Sequence, residues 1–136
     1  MFCFDTDVMS AAVRRDPPLQ LIRRLSRVSA EDQYTTAVTL GEILYGAVKK
    51  GSHPALLGRV RDIVSRAAAI LPFDEQAAEV YATLRARLET EGRSLAEPDL
   101  RIAAIVLTQD LTLVTGNVRH FSRIPELRVE NWLTAR

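Results

Sequence analysis

The sequence predicts an α/β protein built on a parallel sheet. Three observations carry that prediction. Short apolar, β-rich runs alternate with longer segments whose apolar residues recur at helical spacing. Glycine and proline stand at the ends of several of these segments, where they stop helices and strands. Hydrophobic residues make up 47% and charged residues 26% of 136 positions, the balance of a globular chain of one-domain length.

The elements follow in order. Phe2–Asp5 is short and apolar and reads as a buried strand. Asp7–Arg15 reads as a short helix stopped by Pro17-Pro18. Leu19, Ile22, Leu25 and Val28 recur at helical spacing. Tyr34–Val38 is β-rich, and Thr39–Lys50 reads as a helix ended by Gly51. Leu56, Val60, Ile63, Val64 and Ala67 define an amphipathic helix. Ala69–Phe73 is a short strand, and Ala77, Tyr81, Leu84 and Leu88 share one face of a helix ending at Gly92. Pro98–Gln109 is apolar on most sides, so that helix should be central. Leu111–Thr115 and Leu127–Glu130 are the last strands, before Trp132. Alternating strands and helices imply right-handed crossovers. One domain over residues 1–136 is expected, with a helical arm at about 54–92 interrupting the alternation.

Composition excludes several classes. A single cysteine, Cys3, excludes an internal disulfide and reads as a small buried thiol. There is no Cys/His metal-binding spacing. No apolar run reaches the roughly 18 residues of a membrane span, and no signal peptide precedes the first strand, so a cytoplasmic location is expected. The net charge of +1 supplies no global attraction for nucleic acid. Of the 18 basic side chains, however, 16 are Arg and only Lys49 and Lys50 are Lys. Arg forks suit phosphate, while Arg-favouring codon usage gives the same composition.

Four carboxylates stand where strands end or helices begin: Asp5, Asp7, Glu42 and Asp99. Each has a plain local explanation. Asp5 and Asp7 are good N-caps. Thr39-Leu40-Gly41-Glu42 and Ser94-Leu95-Ala96-Glu97 match the capping box. Asp99 suits the first turn of a helix after Pro98. Capping does not explain the joint pattern. In an open α/β sheet, ligands bind at the carboxyl ends of strands. Acids gathered there repel one another, by about 3 kcal/mol per pair at 5 Å in an effective dielectric near 20. A hard divalent cation removes that cost, takes one or two carboxylates, keeps waters and accepts phosphate oxygens.

With these residues in place the chain resembles a known family, the PIN-domain ribonucleases, and in particular the VapC-type toxins of bacterial VapBC toxin–antitoxin pairs. The matching blocks are Phe4-Asp5-Thr6-Asp7-Val8-Met9-Ser10, Val38-Thr39-Leu40-Gly41-Glu42-Ile43-Leu44-Tyr45-Gly46 and Asp99-Leu100-Arg101-Ile102-Ala103-Ala104. Two more follow: Leu113-Val114-Thr115-Gly116-Asn117-Val118-Arg119-His120-Phe121 and Leu127-Arg128-Val129-Glu130-Asn131-Trp132. Five blocks in order span nearly the whole chain.

The resemblance implies a three-layer α/β fold with about five parallel strands. It implies Mg²⁺- or Mn²⁺-dependent endonucleolytic hydrolysis of RNA. Asp5, Glu42 and Asp99 match the family's core acids and are the expected catalytic and metal-holding residues. Thr6, Asp7, Thr115 and Asn117 are expected in support. The implied partners are an RNA substrate, a VapB-type antitoxin that silences the toxin, and a second copy in a homodimer, with DNA reached only through the antitoxin. Apolar stripes at Leu19–Val28 and Leu56–Ala67 are either grooves for an antitoxin segment or plain core.

Two departures stand out. Asp7 occupies a position where the family usually has Asn. The family's last motif usually carries an acid, and here its two positions are Asn117 and His120. A catalytically weak or inactive RNA-binding module on the same fold is therefore the alternative. A metal-free ribonuclease would need two His, and the chain has only His53, expected in a solvated loop, and His120. An Asp-nucleophile phosphotransferase would need a Lys after a late strand, and none follows Leu111–Thr115.

Overall fold

The computed structural model describes residues 1–51 and 54–134. His53 lies outside the described residues. The elements are β1 (Phe2–Phe4), α1 (Thr6–Ala12), α2 (Leu19–Leu25), a 3₁₀ turn (Ala30–Asp32), β2 (Gln33–Thr36) and α3 (Ala37–Lys49). They continue with α4 (Pro54–Ala67), β3 (Ala69–Leu71), α5 (Glu75–Thr90), α6 (Glu97–Thr108), β4 (Thr112–Val114), α7 (Val118–Phe121) and β5 (Arg128–Glu130).

The five strands form one parallel sheet in the order β3-β2-β1-β4-β5. The chain builds outward from β1 through β2 to β3, then crosses back to β4 on the other side. The topological switch point therefore lies between β1 and β4, where Phe4 is in register with Val114. Crevices for ligands open at such points, outside the carboxyl ends of the strands.

Alternation along the strands divides the core in two. Cys3 and Leu113 face a layer made by Leu84 and Leu88 of α5, Leu100, Ile102, Ala103 and Val106 of α6, and Phe121. Phe2, Phe4 and Val114 face a layer made by Val8, Met9 and Ala11 of α1, Leu21 of α2, Val64 of α4, and Trp132. This is the three-layer arrangement expected, with the period of two that strands impose. The 54–92 stretch is shared between the layers: α4 packs with α3 in the layer that holds α1 and α2, and α5 packs with α6. The central helix is as buried as its composition implies, with Leu100 and residues 102 to 106 all in the interior.

Several boundaries differ from the pattern-based expectation. The first helix stops at Ala12 rather than Arg15, well before the prolines. The second stops at Leu25 rather than Val28, because Ser26 Oγ donates back to the carbonyl of Arg23 in its last turn. The third begins at Ala37 instead of Thr39, since the Thr36 hydroxyl accepts the Thr39 N–H at 3.0 Å. The capping box at Thr39 is thus not formed: Thr36 is the N-cap, and Glu42 lies in the second turn. The box at Ser94 is not formed either. Ala96 occupies the N-cap without a side-chain bond, and Glu97 instead accepts the Tyr81 hydroxyl and pairs with Arg85. The fifth helix ends as expected: Gly92 turns left-handed at φ +68°, and Arg93 N–H returns to the carbonyl of Leu88 at 2.8 Å. Among the described residues, no helix is long and apolar enough to cross a membrane.

Candidate active site

The site forms where β1 and β4 end. The Asp5 N–H is held by the carbonyl of Val114 at 2.9 Å, so the backbone pairs one residue beyond the strand. Asp5 is then the N-cap of α1, with extended backbone, and its Oδ1 accepts the Thr6 N–H at 2.7 Å. Its Oδ2 accepts the Thr115 hydroxyl at 2.7 Å, from just beyond β4. Asp5 is only 6% exposed, and burial raises its carboxyl pKa to about 6. The bonds from Thr115 and Thr6 oppose that rise, and the charges of Asp7 and Asp99 add to it. No Lys or Arg pairs with Asp5, Asp7, Glu42 or Asp99 among the described residues.

The other expected residues arrive from separate elements. Thr6 donates its hydroxyl to Glu42 Oε1 at 2.6 Å, tying α1 to the second turn of α3. Thr115 also accepts the N–H of Asn117 at 3.0 Å, which starts the turn into α7. The Asn117 side chain is exposed at the head of α7 and caps nothing. Asp99 lies half-buried in the first turn of α6.

Asp7 has a definite local role. Its Oδ2 accepts the N–H of Gly116 at 2.8 Å, and its Oδ1 accepts that of Val8 at 2.8 Å. The carboxylate thereby clasps the loop after β4 to the head of α1. A Cβ at position 116 would sit 2.5 Å from Asp7 Oδ2 and 3.0 Å from Leu133 Cδ1, so it would push the Asp7 carboxylate out of its present place. The close approach suits glycine.

His120 is the residue the sequence left without a role. Its Nε2 lies 2.9 Å from Asp99 Oδ2, with both side chains about one-quarter exposed. The imidazole thus stands against one of the core acids. No spacing in the sequence relates position 120 to 99; only the fold brings α7 against the start of α6. Cys3 is buried on the α5–α6 side of β1, and burial, with the Asp5 charge adding to it, pushes its thiol pKa up, so it is an inert core residue.

The donor set suits a hard divalent cation. It consists of carboxylate and hydroxyl oxygens, with one buried carboxylate met only by neutral donors and neighbouring acids. Among the described residues, no three His, Cys, Asp or Glu side chains converge as a ready-made metal cage. Mg²⁺ needs none, because it holds one or two carboxylates and completes its shell with waters and phosphate oxygens.

A doubly wound α/β sheet with acids gathered at its switch point defines a class of protein, and comparison with known proteins identifies it. The chain belongs to the PIN domain family, whose model matches residues 2–127. It is 30% identical over 132 residues to Ribonuclease VapC2 of Haemophilus influenzae, a match covering 97% of this chain and 98% of that protein. It is 32% identical over 128 residues to Toxin FitB of Neisseria gonorrhoeae, covering 89% and 91%. The solved structure of DNA-bound VapBC from Salmonella typhimurium superposes with a TM-score of 0.82 at 30% identity, covering 96% of this chain and 97% of that one. The VapC-type relationship and the three-layer fold read from the sequence motifs both hold.

Proposed function

We propose that this protein is a divalent-metal-dependent endoribonuclease, the toxin of a toxin–antitoxin pair. One observation carries the reading: Asp5 is a buried carboxylate at the switch point, crowded by other acids and given no basic partner among the described residues. Such a charge is expensive without a counter-ion. Asp5, Glu42 and Asp99 would hold Mg²⁺ or Mn²⁺, directly or through water. The bound cation supplies Lewis acidity, lowering the pKa of water at the site and offsetting phosphate charge.

The protein's own groups do the rest. Thr115 fixes the rotamer of Asp5, and Thr6 fixes that of Glu42, so both acids are oriented before substrate arrives. Asp7 and Gly116 hold the Thr115–Asn117 loop against α1. The exposed amide of Asn117 faces solvent at the rim, where it can donate to a phosphate oxygen. His120 holds Asp99 from the other side.

The names of the relatives support an RNA substrate, toxicity and a VapB-type partner; in this reading that partner silences the enzyme and brings it to DNA. A homodimer completes the proposed assembly. The test is incubation of total RNA with the purified protein, in Mg²⁺ or Mn²⁺ and in EDTA, beside Asp5→Asn. Cleavage that needs the metal and the carboxylate is expected. Full-rate cleavage in EDTA contradicts the reading. RNA binding without cleavage under any metal condition would instead favour a binding module.

A further inference from the structure

We propose that the cleft along α7 binds a phosphate group of the RNA strand beside the bond that is cleaved. The inference rests on the ribonuclease reading for its ligand and on separate residues for its chemistry. The cleft has a volume of about 500 Å³ and is lined by Asn117, Arg119, His120, Ser122 and Arg123. It contains no carboxylate of its own, so its lining carries two permanent positive charges. It begins at His120, which touches Asp99 at 2.9 Å, so the cationic cleft and the acidic site adjoin.

The donors here are largely unspent. Arg119 is exposed and enters no ion pair among the described residues. Arg123 donates one Nη1 bond, at 2.8 Å, to the carbonyl of Ser94. That bond anchors the guanidinium without neutralising it, and most of its five N–H groups stay available. Ser122 donates its hydroxyl to the carbonyl of Arg119, closing the turn that holds the two arginines on one short segment.

Charge argues for the occupant. A polyanion drawn to a site with Asp5, Asp7, Glu42 and Asp99 meets net repulsion on the way in. The whole chain offers only +1 to offset it, so the attraction has to be local. An acidic site flanked by an arginine cleft fits a strand that presents one phosphate to the acids and the next to the arginines. Arg forks match phosphate oxygens bidentately.

The test is fluorescence anisotropy of a short 5′-labelled RNA in EDTA, so that no cleavage occurs, across a salt series. R119A/R123A is expected to bind about tenfold more weakly. Its log Kd against log salt slope should be shallower by about 0.7, for the one phosphate that the variant no longer neutralises on a single strand. R119K/R123K should recover much of the affinity. R128A, paired with Asp110 at the opposite end of the sheet, should match the parent protein. In Mn²⁺ the alanine pair should raise KM for cleavage at least fivefold. If R119A/R123A binds RNA with unchanged affinity and slope, the cleft proposal is overturned even where cleavage is normal. If its only defect is in binding an acidic partner protein, the proposal is also overturned. If the parent binds RNA through these arginines yet never cleaves it, the ribonuclease reading fails and the cleft stands.

Discussion

Asp5 concentrates the chemistry at the scale of single residues. Its carboxyl titrates near 6 in the fold, against 3.8 ordinarily. The folded state therefore binds this proton more tightly than the unfolded state does. Stability from this group is greatest at low pH, falls as pH rises from about 4 to 6, and stays low above that. The cost of holding the charge is about 3 kcal/mol or less. Asp5→Asn should accordingly raise the melting temperature of the metal-free protein by several degrees at pH 7.5 and change it little at pH 3.5. An equal shift at both pH values would contradict this. Thr6→Val should cut cleavage roughly 10- to 100-fold by releasing Glu42, with Thr6→Ser restoring most of it. The acids and hydroxyls of the site were legible because they lie in recognisable motif blocks. The pairing of His120 with Asp99 was not, because it joins residues from two helices with no common period.

At the scale of elements, most helix and strand identities were legible, as were the caps at Asp5 and Gly92, but the caps of α3 and α6 were not. Thr36 and Thr39 are both plausible N-caps, and local pattern cannot choose between them. The choice falls to Thr36 because β2 ends there and its hydroxyl reaches the Thr39 N–H. The helix α7 escaped notice because four residues carry barely one turn of periodicity. The clasp between α1 and the loop after β4 is a tertiary feature that a Thr-Gly pair only hints at. It predicts that Gly116→Ala destabilises by about 1–3 kcal/mol through overpacking against Asp7 and Leu133. Combining it with Asp7→Ala should give less than the sum of the two losses, since both changes act on the same clasp. Chemical denaturation of the two single variants and the double measures the coupling, and strict additivity would exclude the clasp.

For the whole molecule, strand alternation predicted a parallel sheet but not its order. The order matters most, because placing β4 beside β1 brings Thr115 onto Asp5 across 110 residues of chain. The motif blocks are scattered in sequence and meet only through that crossover. The same geometry would link the proposed metal binding to folding. A ligand that binds only the native state stabilises by about 2.7 kcal/mol at a hundred times its Kd. Mn²⁺ should therefore raise the melting temperature of the parent protein and leave Asp5→Asn nearly unmoved. The proposed hydrolysis would also leave its mark on the RNA. Attack by water on the phosphate, with the 3′ oxygen leaving, yields 5′-phosphate and 3′-hydroxyl ends. Attack by the 2′-hydroxyl, the route of a histidine ribonuclease, yields 5′-hydroxyl and cyclic phosphate ends. End-group analysis of RNA cut in Mn²⁺ should find 5′-phosphates that vanish with Asp5→Asn; 5′-hydroxyl and cyclic phosphate ends, persisting in EDTA, would contradict metal-dependent hydrolysis at this site.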